Sequence, residues 1–67
     1  MTQAQIIASC LASEASWRRA ARNLRDHATA SRLRDEQRAA LLREATAADR
    51  QADWWRDAAV AARATAE

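Results

Sequence analysis

Leu41–Ala66, LLREATAADRQADWWRDAAVAARATA, is the stretch on which the fold turns. Within it Leu41, Ala45, Ala48, Ala52, Trp55, Ala59, Ala62 and Ala66 recur at alternating spacings of four and three. This is the heptad repeat of a helix whose apolar stripe meets a second helix, and no polar residue interrupts it. Most stripe positions are alanine, so a partner helix can approach the backbone closely, with Leu41 and Trp55 as the large knobs. Arg43, Arg50, Asp53, Asp57 and Arg63 fall opposite the stripe, on a face read as solvated. Ala40, Ala47, Trp54, Ala58 and Ala61 widen the apolar surface beyond a two-stranded seam, which favours a bundle of three or more helices.

Toward the N-terminus, Ile7, Cys10, Glu14, Trp17, Ala21, Leu24, Ala28 and Ser31 repeat the same spacing. Glu14 is the one flaw: it either forms a polar layer or yields its place to Ser13 through a small rotation. Between the two stripes, Asp26-His27-Ala28-Thr29-Ala30-Ser31 gathers weak helix formers and offers Asp26, Thr29 and Ser31 as N-caps. A turn is therefore predicted near 27–31. Arg22 and Arg25 then sit in the last turn of one helix, and Asp35 and Glu36 near the start of the next. Both charge signs suit the helix dipoles.

The expected fold is all-α: a long two-helix hairpin, helix 1 about 3–27 and helix 2 about 31–65, in a single domain over 1–67. It is expected to assemble into a coiled coil or helical bundle. The unequal helix lengths leave a C-terminal overhang, carrying Trp54 and Trp55, that calls for a second chain. The alternative is a compact three-helix bundle with a second break near Thr46, because Thr46-Ala47-Ala48-Asp49 has the form of a capping box.

Composition points the same way. Of 67 residues 20 are Ala and 11 are Arg, while Gly, Pro, Lys, Phe and Tyr are absent. Without glycine there is no phosphate-cradling loop, and one cysteine permits neither an internal disulfide framework nor a Cys-based zinc knuckle. Only eleven large apolar side chains are present: five Leu, three Trp, two Ile and one Val. They make a thin core for one copy, and association with another surface is the natural remedy. No segment reaches the roughly 20 apolar residues of a membrane helix, and the N-terminus lacks a basic signal region. The expectation is a soluble, cytoplasmic protein, or part of a virion if phage-encoded; abundant Ala and Arg without Lys mark a GC-rich genome.

The chemistry-bearing residues do not converge. Cys10 and His27 are the only members of their types and stand 17 residues apart. Cys10 lies on the apolar stripe and is read as a structural thiol, and His27 lies at the turn. Asp49, Asp53 and Asp57, spaced by four, are read as a solvated charge stripe and not as a metal site. No catalytic residue, metal, cofactor, small-molecule substrate or membrane is expected. The basic character is a central band: residues 18–38 hold seven Arg against Asp26, Asp35 and Glu36, a net +4. Local pairing is expected for Glu14 with Arg18, Arg22 with Asp26, and Arg32 with Glu36. On this reading, replacing Arg18, Arg22 and Arg25 by Ala leaves the fold intact.

The functional expectation is a non-enzymatic helical interaction or assembly protein of bacterial or phage origin. It self-associates through the alanine seam, either as a small structural component or as an inhibitor that occludes a partner's surface. The interface is assigned to Ile7, Trp17, Leu24, Leu41, Ala45, Ala48, Ala52, Trp54, Trp55, Ala59 and Ala62. Arg18, Arg19, Arg22, Arg25 and Arg32 form the candidate contact for an acidic partner or a nucleic acid. The alternative function is an Arg-rich nucleic-acid-binding protein using the 18–38 band, whose phosphate contacts would be salt-sensitive.

Overall fold

A capping box opens the first helix. In the computed structural model, which describes residues 1–65, Thr2 Oγ1 accepts a hydrogen bond from the Gln5 N–H at 3.1 Å. Gln5 Oε1 in turn accepts from the Thr2 N–H at 2.7 Å, so two of the helix's orphan donors are satisfied together. Helix α1 runs Gln3–Ala28 and helix α2 runs Asp35–Ala64. Together they form the all-α hairpin that the heptad spacing predicts, in antiparallel contact. Thr46 sits inside α2 with its hydroxyl donating to the Leu42 carbonyl at 3.1 Å, one helical turn back. The helix passes through this point unbroken, so the three-helix alternative is not the fold.

The turn occupies residues 29–34 and contains no residue with positive φ. Helices commonly end on a left-handed glycine that satisfies their last carbonyls, and this chain has none. Its substitutes are polar. The Thr29 hydroxyl donates to the Asp26 carbonyl at 2.6 Å. Arg38, from the first turn of α2, donates Nε to the Ala28 carbonyl at 2.8 Å and Nη2 to the Ala30 carbonyl at 3.1 Å. One guanidinium thus closes the end of α1 and ties the turn to α2. Helix α2 begins at Asp35 and not near 31, because Arg34 takes the extended N-cap conformation (φ −71°, ψ 156°). The Gln37 side chain accepts from the Arg34 N–H at 2.9 Å.

The late start of α2 removes the expected overhang. The helices have 26 and 30 residues, and the Gln3 side-chain amide at the start of α1 donates to the Ala62 carbonyl near the end of α2. The result is a rod with extents of 53 × 13 × 13 Å, paired along its whole length.

The apolar stripes meet inside this rod. The buried residues are Cys10, Ala21 and Ala28 from α1 and Ala45, Ala48, Ala52 and Ala59 from α2. Ala21, Ala45 and Ala48 form the central cluster, with Ala20 and Leu24 packed against it. The alanine seam expected to join copies of the chain therefore joins the chain's own two helices. Ala66, the last stripe position, lies outside the described residues. Glu14 keeps its place at the stripe's edge, half-buried beside a half-buried Ser13.

Two outcomes follow for stability. Ala52 is fully buried, so Ala52→Glu places a carboxylate in a space sized for a methyl group. Circular dichroism should show loss of the cooperative thermal transition, whereas Ala12→Glu, at an exposed position opposite the α1 stripe, should melt like the wild type. Arg38→Ala frees two carbonyls at the turn and should cost about 1 kcal/mol, read from thermal or urea melting.

Candidate interaction surface

The two flanks of the rod differ in charge, and the heptad positions show why. Beside the stripe of α1, one side carries Leu11, Arg18 and Arg25, and the other carries Ile6, Ser13, Ala20 and His27. Beside the stripe of α2, one side carries Leu42, Asp49 and Arg56. Its other side carries Glu44, Gln51 and Ala58, and beyond them Ala40, Ala47, Trp54 and Ala61. Antiparallel packing brings like to like.

On the charged flank, Arg18 Nη1 donates to Asp49 Oδ1 at 3.1 Å and its Nη2 to Asp53 Oδ1 at 2.7 Å. Glu14 lies 3.6 Å from the same guanidinium, one helical turn back. Arg25 donates to the second Asp49 oxygen, and Arg56 lies 3.4 Å from Asp53. These groups form one network across both helices. The Asp49 carboxyl is held below the ordinary aspartate range, by the Arg25 hydrogen bond first and the Arg18 hydrogen bond second. Arg18 is correspondingly held above its ordinary value, chiefly by Asp53 and then Asp49.

This arrangement corrects several readings of the sequence. Asp49 and Asp53 are not a solvated stripe; both are half-buried and bridge to α1. Glu14 does pair with Arg18, but among the described residues Arg22–Asp26 and Arg32–Glu36 form no ion pair. Arg32 precedes α2, so helical spacing does not bring it to Glu36. Arg22 has the weaker arginine-first orientation. Of the five arginines assigned to an acidic partner, Arg18 and Arg25 are taken up by aspartates, while Arg19, Arg22 and Arg32 are exposed.

The opposite flank is charge-poor. Trp17, Ala20 and Leu24 of α1 and Glu44, Ala47, Ala48 and Gln51 of α2 line a shallow groove of about 380 Å³ that spans both helices. Glu44 is the only carboxylate on it. Trp17 is 39% exposed, Ile6 41% and Trp54 61%. Trp54 and Trp55 meet edge to face, with ring centroids 4.8 Å apart and planes at 88°. Trp55 is half-buried at the stripe while Trp54 stands out into solvent. Of the remaining residues assigned to the interface, Ala45, Ala48, Ala52 and Ala59 are buried within the hairpin, and Ile7, Leu24, Leu41 and Ala62 are half-buried there. Trp17 and Trp54 remain available. Leu11, Leu42 and Val60 are also exposed, but they lie on the side of the rod that carries the ion pairs.

Cys10 is a buried free thiol and His27 is exposed at the turn end. Among the described residues no group of three His, Cys, Asp or Glu side chains is placed to hold a metal ion. No described helix is long and apolar enough to cross a membrane. Comparison with protein-family models, curated proteins and solved structures finds no match to this chain.

The ion network makes a prediction with a definite sign. A carboxyl whose folded pKa is depressed contributes stability above its unfolded value and loses it as pH falls through the folded one. Wild-type stability should therefore exceed that of Asp49→Asn at neutral pH, and the gap should close as pH drops below about 3.9. Melting curves over a pH series measure this directly. By the same geometry, Arg18/Arg22/Arg25→Ala should lower the melting temperature and Arg22→Ala alone should not.

Proposed function

We propose that this chain is a non-enzymatic helical interaction protein whose working part is the charge-poor flank. It acts as a small assembly component or by occluding another protein's surface. The observation that carries this reading is the sorting of charge: ion pairs knit one flank of the rod, while the other offers Trp17, Trp54 and a row of small residues with one carboxylate. Interface cores are depleted of charge and enriched in tryptophan. A solvated face of this composition would serve neither stability nor solubility. The nucleic-acid alternative draws less support, because Arg18 and Arg25 are already neutralised by Asp49 and Asp53.

The test compares wild type with Ala47→Glu/Trp54→Glu, both exposed positions on the charge-poor flank. Light-scattering mass and binding of an anilinonaphthalene dye are read together. Wild type should either exceed the 7.5 kDa monomer mass or, as a monomer, bind the dye. The variant should do neither, at unchanged helicity. A monomeric wild type that binds no more dye than the variant overturns the reading.

A further inference from the structure

We infer that the occupant of the charge-poor flank is a second copy of this chain, the two hairpins running in opposite directions to make a four-helix bundle. This rests on the interaction reading above and adds the identity and orientation of the partner.

Three observations carry it. The first is size. The flank is one face of a rod with extents of 53 × 13 × 13 Å. Such a face offers on the order of 700 Å² per copy and about 1,400 Å² for a pair, within the range of specific interfaces. The second is width. The groove spans both helices, with Trp17 on α1 and Ala47 and Gln51 on α2. A single added helix, about 10–12 Å across with its side chains, would fill this groove too, but it would have to come from a different chain. A second hairpin has the same length and breadth as the face it covers. The face carries large side chains, Trp17 and Trp54, beside small ones, Ser13, Ala20, Ala47 and Ala58 among them, so a two-fold partner brings both knobs and hollows to the interface.

The third is charge, and it selects the direction. The flank itself is nearly neutral, so a strongly charged partner would find no counter-charge on it. The turn end of the rod is mildly basic: Arg22, Arg32, Arg34, Arg38 and Arg43 stand there against Asp26, Asp35, Glu36 and Glu44, with Arg25 paired to Asp49. Hairpins running the same way would stack the two basic ends and bring the two Glu44 carboxylates to one level. Opposite directions place both sets at opposite ends of the bundle, beyond a Debye length of one another.

The experiment joins mass to distance. Light scattering should give twice 7.5 kDa for the wild type at micromolar and near-millimolar concentration alike. Ala47→Glu should return the monomer with its helicity kept, while Leu11→Glu, on the charged flank, should leave the dimer intact. A spin label on Cys10→Ala/Ser31→Cys, at the turn, should report an inter-label distance near the 53 Å length of the rod. Labels closer than half that length overturn the opposed direction. A dimer broken by Leu11→Glu and not by Ala47→Glu overturns the choice of flank. A wild-type monomer that binds the dye overturns the second copy and leaves the interaction reading standing, whereas a monomer that does not bind it overturns both.

Discussion

The close approach of alanine to alanine between α1 and α2 is the constraint from which the rest of this structure follows. Ala21 packs against Ala45 and Ala48, and no large side chain is fully buried anywhere in the described residues. Methyl-lined contacts of this kind let two helices lie side by side at short range, but each removes little apolar area from water. Stability must therefore be gathered from other places. The helix ends are closed by Thr2 with Gln5 and by Arg38 over the turn. One flank is knitted by Arg18, Arg25, Asp49 and Asp53. The large apolar side chains, excluded from so narrow a centre, are pushed to its edges. That displacement leaves Trp17 and Trp54 where another surface can reach them.

The distribution of charge across the rod expresses the same constraint. A hairpin of two helices has no third helix to cover its flanks, so each flank needs its own solution. One is solved within the chain by ion pairs whose members come from both helices. Exposed pairs contribute modestly one at a time, yet Arg18 joins three carboxylates, and a shared network holds the register of the helices as well as their separation. The other flank has no comparable internal solution. Its polar members, Ser13 and Gln51, carry no charge, and Glu44 has no cationic partner among the described residues.

Much of the fold was legible in the sequence because helical periodicity is local. The stripe from Leu41 to Ala62 reads directly as the buried face of α2, and the weak helix formers between Asp26 and Ser31 mark where α1 ends. The capping box at Thr2-x-x-Gln5 was equally readable, since that residue pair at that spacing is its signature. Other features were not readable in the same way. Arg34 is not a capping residue type, and nothing local indicates that α2 waits until Asp35. The reach of Arg38 to Ala28 depends on how the chain reverses. Asp49 and Asp53 look solvated on a single helix and become bridging groups only once the antiparallel register sets them opposite Arg18. The true candidate surface was half visible: charge flanks the stripe on one side of each helix and is nearly missing from the other. Joining those two sides into one flank required knowing which helix faces which, and in which direction.

The three tryptophans have one more consequence. The chain has no tyrosine or phenylalanine, and Trp17, Trp54 and Trp55 all belong to the charge-poor side of the stripes. Its whole near-ultraviolet absorption and emission therefore originate on one flank. The protein carries a built-in optical reporter: an event that covers this flank alters the light it emits, while rearrangement of the ion pairs on the far side stays almost dark.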